Sequence, residues 1–231
     1  MIQISNLTKK YGETAVFSNL NYTFENTCIY GLVGRNGAGK TTLLNILSNY
    51  DKNYTGVISI DGEKMNKVDY LDMPVAYAMD QPSFFNELTI YENLLLIASS
   101  RKIKKQEAFD KIERILDGLG LKKYENYSPL ELSKGTMQRL NNACAMIQEE
   151  KITIFDEPFS GLDPVQMKLL ENVIVEFHKK EKGIYIISSH DIECLQNVCD
   201  KCLLLHNGQI REINMEEVDR EEIAKILSEG E

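Results

Sequence analysis

Short apolar runs broken by turn residues open the chain. Ile2 to Leu7, Leu20 to Phe24 and Cys28 to Val33 read as β segments, separated by residues such as Gly12 and Asn26. The third run leads directly into a glycine-rich loop. Val57 to Ile60 followed by Asp61-Gly62 is a hairpin signal, because Asp-Gly accepts the positive φ angles of a type I′ turn. Between about Leu88 and Glu150 the period changes. Ala108, Ile112, Ile115 and Leu119 share one helical face, and the segment from Ser133 onward has no Gly or Pro after Gly135, so a helical insert is predicted there. Ile152 to Phe155 and Ile184 to Ser188 are apolar β runs flanking a helix-like stretch from Pro164 to about Glu181, with proline in its first turn. Cys202 to Leu205, Asn207-Gly208 and Gln209 to Ile213 give a further hairpin. Strands alternating with helices predict a parallel sheet.

Composition narrows the class. The chain has 231 residues, 43% of them apolar and 26% charged, with 5 prolines, which excludes disordered and fibrous proteins and leaves room for a sizeable core. The longest purely apolar runs, such as Leu94 to Ala98, are far short of the roughly 18 residues that span a bilayer, and MIQISNLTKKYG lacks the apolar region of a secretory signal. A cytoplasmic address is the expectation. The net charge of −9 argues against a dedicated nucleic-acid binder, but its position matters more than its size. Residues 212–231 carry eight acids and two bases, so the body is nearly neutral and the tail is the acidic part. Met215, Val218, Ile223, Ile226 and Leu227 recur near helical spacing, predicting a terminal surface helix. The five cysteines are odd in number and read as reduced thiols.

The sharpest chemistry is Gly34-Arg35-Asn36-Gly37-Ala38-Gly39-Lys40-Thr41-Thr42, a G-x-x-x-x-G-K-[ST] phosphate loop between a strand and a helix. Glycines let backbone N–H groups turn onto phosphate oxygens, Lys40 reaches the β/γ-phosphates, Thr41 can ligate Mg²⁺, and the following helix offers its positive end. A second element is Ile152-Thr153-Ile154-Phe155-Asp156-Glu157, an apolar strand ending in two acids. Neighbouring strand residues point in different directions, which suits Asp156 as the Mg²⁺ partner and Glu157 as general base for an attacking water. Further on come Leu132-Ser133-Lys134-Gly135-Thr136-Met137-Gln138-Arg139 at a helix start, Ser160-Gly161-Leu162-Asp163-Pro164, and a lone His190.

In this order the set resembles the ATP-binding subunits of ABC transporters, over nearly the whole chain. The resemblance implies an α/β fold: a P-loop NTPase core with a mainly parallel sheet, an antiparallel β subdomain and an inserted helical subdomain. It makes residues 1–231 a single ABC ATPase domain, with 1–87 and 151–231 as the ATP-binding core and 88–150 as the helical subdomain. Tyr11 matches the aromatic residue that stacks on adenine, Gln81 the glutamine lining metal and water, Asp163 the aspartate of the dimer-contact loop, and His190 the histidine that contacts the γ-phosphate. The family mechanism then implies two such subunits, as homodimer or heterodimer, closing head to tail with each ATP and its Mg²⁺ between one subunit's phosphate loop and the other's signature. The Ser133 hydroxyl and the backbone N–H near Gly135 would donate to the γ-phosphate. A separate transmembrane permease is the implied partner, placing the chain at the inner face of the cell membrane through that subunit alone.

The signature departs from LSGGQ at Lys134, where Gly is usual, and at Thr136, where Gln is usual. Lysine at this point, with Leu88-Thr89-Ile90-Tyr91-Glu92-Asn93-Leu94 after Gln81, is similar to bacterial antibiotic and multidrug exporters, so export is expected over import. A soluble ABC-type ATPase for cluster assembly or another non-transport task is the alternative. The basic run Arg101-Lys102-Ile103-Lys104-Lys105 reads as a solvated loop, and Cys199-x-x-Cys202 has metal-ligand spacing but no second pair nearby.

Overall fold

The computed structural model describes residues 1–68 and 72–214. The predicted acidic helix at the C-terminus lies outside these residues. In chain order the elements are β1 (Ile2–Tyr11), β2 (Thr14–Phe24), β3 (Cys28–Val33), α1 (Lys40–Leu47), β4 (Thr55–Ile60), β5 (Glu63–Lys64), β6 (Val75–Ala78), α2 (Ile90–Ser100), α3 (Lys105–Gly118), α4 (Lys134–Met146), β7 (Ile152–Phe155), α5 (Pro164–Glu181), β8 (Ile184–Ser189), α6 (Glu193–Gln196), β9 (Lys201–His206) and β10 (Gln209–Ile213).

The strands form two sheets. One is antiparallel, in the order β2-β1-β4-β5; the other runs β10-β9-β3-β8-β7-β6 and is parallel except for β10 at its edge. Parallel strands covered on both faces lose the apolar–polar alternation, which is why β3, β7 and β8 are buried at every position. Their side chains nevertheless divide between two cores. Tyr30, Leu32, Ile154 and Ile186 pack with Phe17, Leu43 and Leu47 on the side of α1 and the antiparallel sheet. Ile29, Val33, Phe155, Tyr185 and Ile187 pack on the opposite face with Ala108, Ile112, Ile115 and Leu119 of the helical insert. Those four helical residues are at most 1% exposed, as the spacing predicted.

Asp61 and Gly62 (φ 51° and 86°) and Asn207 and Gly208 (φ 48° and 70°) take the positive angles expected of the two hairpin turns. One strand matches no expectation, and one expectation is corrected. The strand β6 carries no periodic signal and forms by pairing Val75–Ala78 with Ile152–Phe155. Arg101 is not part of a solvated loop: its guanidinium donates to the carbonyls of Met73 and Val75 and to Gln148, and it pairs with Glu150 at 3.1 Å. A long cation stitching the helical insert to the β6 region satisfies carbonyls that the four-residue strand leaves unpaired.

The register sets up the site. Val33 stands opposite Ser189, Phe155 opposite Ile187, and Ala78 opposite Phe155, so the carboxyl ends of β3, β6, β7 and β8 reach one edge together. The phosphate loop, Asp80, Asp156-Glu157 and His190 all follow those ends. In open α/β sheets this edge is where ligands bind.

Candidate functional site

A cleft of about 460 Å³ opens at this edge. The loop residues Arg35, Asn36, Gly37, Gly39, Lys40, Thr41 and Thr42 form its floor, with Tyr11 on one side and Glu157, Ser160 and His190 on the other. Gly34 and Ala38 complete the loop behind it. Gly39 sits at φ 101°, and a Cβ there would lie 2.6 Å from Val16 Cγ1, so both the turn and the packing require glycine. Lys40 is buried, with Nζ donating to Gly34 O at 2.7 Å and standing 3.4 Å from Glu157 Oε1. The lysine ammonium thus lies across the mouth of the loop, where a phosphate oxygen would meet it.

Asp156 is 1% exposed. Burial pushes its carboxyl above the usual range, while hydrogen bonds from Ser188 and Thr41 act in the opposite direction. Ser188 Oγ donates to Asp156 Oδ1 at 2.6 Å and accepts the Glu157 N–H at 2.9 Å, so one hydroxyl fixes both acids. Glu157 holds a positive φ of 50°, unusual for a residue with a side chain, and this turns its carboxylate into the cleft. There His190 Nδ1 is 2.9 Å from Glu157 Oε2.

Thr41 and Asp156, close enough beside the loop for the hydroxyl to lower the acid's pKa, are an all-oxygen donor set of the kind Mg²⁺ takes when it is held by one carboxylate, one hydroxyl and substrate phosphates. Among the described residues no group of three or more His, Cys, Asp or Glu side chains could cage a metal by itself. Cys199 and Cys202 are therefore not part of such a group, and burial raises the thiol pKa of both.

Tyr11 is exposed at the rim. Its hydroxyl reaches Asp51 Oδ2 at 3.4 Å and the Lys9 ammonium lies over its ring, 4.7 Å from the centroid. Lys9, itself buried, pairs with Asp51 at 2.6 Å, so the ring is backed by an ion pair rather than free to swing. Gln81 is exposed, and its neighbour Asp80 is the residue of that loop which lines the cleft. Asp80, Val16 and the supporting Ser188 carry no motif signal of their own, whereas Ser160 opens the Ser160–Pro164 motif.

Ser133, Gly135 and Asp163 lie outside this cleft. Ser133 caps α4 through Thr136 N–H and is itself exposed. Asp163 caps α5 by accepting from Gln166 N–H at 2.8 Å. The two cap regions touch: a Cβ on Gly135 would stand 3.0 Å from Gly161 O, so this glycine permits their close approach. Along α4, Gln138, Asn141 and Asn142 donate to the carbonyls of Glu157, Met79 and Pro158, at 3.4, 2.7 and 3.2 Å.

Comparison with known proteins bears on this arrangement. The ABC transporter family profile matches residues 17–160. An uncharacterized ABC transporter ATP-binding protein of Methanocaldococcus jannaschii is 32% identical over 90% of this chain and 75% of its own length. The bacitracin transport ATP-binding protein of Enterococcus faecalis is 31% identical, covering 95% of this chain and 71% of its own. The tungstate uptake system ATP-binding protein of Peptoclostridium acidaminophilum is 30% identical, covering 91% and 97%. A solved structure of an ATP-binding subunit of an ABC transporter superposes with a TM-score of 0.84 at 27% identity, over 96% of this chain and 92% of that one. Sequence, fold and cleft agree: the chain belongs to the ABC transporter family, as an ATP-binding ATPase subunit.

Proposed function

We propose that the chain is the motor of a transporter, binding ATP with Mg²⁺, hydrolysing it as a head-to-tail dimer, and acting on a separate membrane-spanning subunit. The observation that carries this reading is the division of the site: Lys40, Glu157 and His190 converge on one cleft, while Ser133 and the N-terminus of α4 face outward from another part of the surface. A helix start with no acidic residue in its first turn suits an anion brought by another subunit. A solved cassette that superposes with a TM-score of 0.81 at 24% identity is described as dimeric and bound to ADP and Pi, which supports a dimer.

In this reading Tyr11 stacks on the base, loop N–H groups and Lys40 hold the phosphates, and Thr41 and Asp156 hold Mg²⁺, which neutralises charge on the β- and γ-phosphates. Glu157 accepts a proton from the water whose oxygen bonds to the γ-phosphorus as the bridge to the β-phosphate breaks; His190 keeps that carboxylate aimed. Gln81 is assigned to the same water from its loop, Asp163 to the dimer contact, and Ser133 and the N–H near Gly135 to the partner's γ-phosphate. Residues 88–150 serve as the helical subdomain, and attachment to the inner face of the membrane comes through the permease. Among the described residues no helix is long and apolar enough to cross a membrane.

Export is the favoured direction, on the lysine in the signature; the named relatives include both bacitracin transport and tungstate uptake. The test is to co-express the chain with its genomic neighbours and follow a hydrophobic partner among them. ATP turnover that is membrane-bound and stimulated by the transported compound from the inner side supports the reading, and a soluble activity indifferent to that partner defeats it.

A further inference from the structure

The signature's serine is built into a directed hydrogen-bond chain. Arg139, 5% exposed, donates through Nη1 to the carbonyls of Leu119 and Gly120, at 2.7 and 3.3 Å, and through Nη2 to Thr136 Oγ1 at 3.2 Å. Thr136 is 4% exposed, and its Oγ1 lies 2.9 Å from Ser133 Oγ. Arginine has no acceptor, so the Arg139–Thr136 bond has only one direction. With a lone pair of Thr136 taken by Arg139, the hydroxyl proton of this buried threonine needs an acceptor, and Ser133 Oγ is the acceptor that the described contacts supply. Ser133 Oγ already accepts the Thr136 N–H at 3.3 Å. Both lone pairs of the serine are then engaged, and its single proton is left for something outside the chain.

We propose that Thr136 is a positioning residue: relaying from Arg139, it fixes the exposed Ser133 hydroxyl as an obligate donor aimed at an anion. Threonine at the position where the signature usually carries glutamine is thereby given a task. The inference rests on the reading that Ser133 meets the γ-phosphate of ATP held by a partner subunit. A serine free to rotate would present a lone pair to that trianion part of the time; the relay removes that orientation before ATP arrives.

The test is steady-state ATP turnover of the full chain, with Thr136→Val, Thr136→Ser, Ser133→Ala and the double variant Ser133→Ala/Thr136→Val, each checked by thermal melting. The relay requires Thr136→Val to lower kcat about tenfold or more with KM for ATP within about twofold. Thr136→Ser, which keeps the hydroxyl, must recover most of that loss, and the valine must cost nothing further once Ser133 is alanine. A folded Thr136→Val within twofold of the parent, beside a damaged Ser133→Ala, overturns the relay and leaves the composite site standing. An undiminished valine effect in the Ser133→Ala background, or a tenfold loss in folded Thr136→Ser, also overturns it. If Thr136→Val does not fold, the serine variant decides. Full turnover in Ser133→Ala overturns the composite-site reading itself and the relay with it.

Discussion

His190 Nδ1 stands 2.9 Å from one carboxylate oxygen of Glu157, while the other lies 3.4 Å from Lys40 Nζ. The acid is held between two nitrogens over the phosphate loop. Glutamine in its place keeps the shape and the contact to His190 but cannot take a proton. Glu157→Gln is expected to bind ATP within about twofold of the parent and to lose roughly 10²–10⁴ in turnover. Calorimetry and phosphate release check the two halves, and an ATP-trapped dimer should elute on size exclusion. Parental turnover would remove Glu157 as the base.

Ser188 is the joint between the two acids. Removing its hydroxyl leaves the buried Asp156 carboxylate one donor short and the Glu157 N–H without its acceptor. A buried polar group left unsatisfied costs about 1–3 kcal/mol. Ser188→Ala should therefore melt several degrees lower than the parent, at about 2–4 °C per kcal/mol for a chain of this size. An unchanged melting temperature would show that the bond is not contributing.

In the proposed function Tyr11 is a platform rather than a reader of base edges. Stacking is worth about 1–3 kcal/mol per base and is indifferent to the base's hydrogen-bond pattern. Tyr11→Ala should thus weaken ATP and GTP by similar factors, with turnover at saturation nearly unchanged. Titration with both nucleotides decides, and a loss confined to one of them would contradict stacking.

The ion pair under that platform has a pH signature. Burial pushes the Asp51 carboxyl up, but hydrogen bonds from Lys9, Asn53 N–H and Tyr11, with the Lys9 charge, leave it below the usual range. A depressed folded value means stability that is present above the ordinary carboxylate pKa near 3.9 and is lost as pH falls through the folded value. At neutral pH Asp51→Asn should be less stable than the parent, because Lys9 keeps its burial and loses its counter-charge. As pH falls from about 4 through the depressed folded value, the two denaturation curves should converge. A gap that persists in acid would assign the effect to packing instead.

Lys134 is exposed, and its methylenes run beside Gly161, within 4.0 Å of where a Cβ on that glycine would sit. The lysine stem covers the loop and its charge remains in solvent, where exposed pairs are worth little. Lys134→Gly should stay within about threefold of parental turnover at low and high salt. A tenfold loss at low salt alone would make this side chain a ligand of the bound nucleotide.

The elements read from sequence are those whose signal is local. The phosphate loop has its glycines, α5 the proline of its first turn, and the two hairpins their Asp-Gly and Asn-Gly turns. β7 and β8 stand out because strands covered on both faces are largely apolar, Thr153, Ser188 and Ser189 being their polar residues. β1 and β2 run longer than the apolar runs that announce them, since Lys9, Lys10 and Tyr11 go on pairing with Phe17, Ala15 and Thr14. β6 was not legible because four residues without alternation become a strand only by lying against β7. In the site, Asp156, Glu157 and Lys40 are set by motif, whereas Ser188 and Asp80 owe their places to register between strands distant in sequence. The Ser133–Thr136–Arg139 chain was hidden for a related reason: Arg139 is anchored by the carbonyls that end α3, and no spacing within the signature reveals that.

The row of amides on α4 has a mechanical consequence. From the serine at its cap to Asn142 is nine residues, about 14 Å of rigid rod at 1.5 Å per residue. Its far part is bolted to the backbone at Met79, Glu157 and Pro158. A push along the rod from the cap cannot be absorbed within it, and is delivered to the peptide that sets the strained angle of Glu157. The surface this chain shows a neighbour and the direction of the Glu157 carboxylate are therefore joined through one helix.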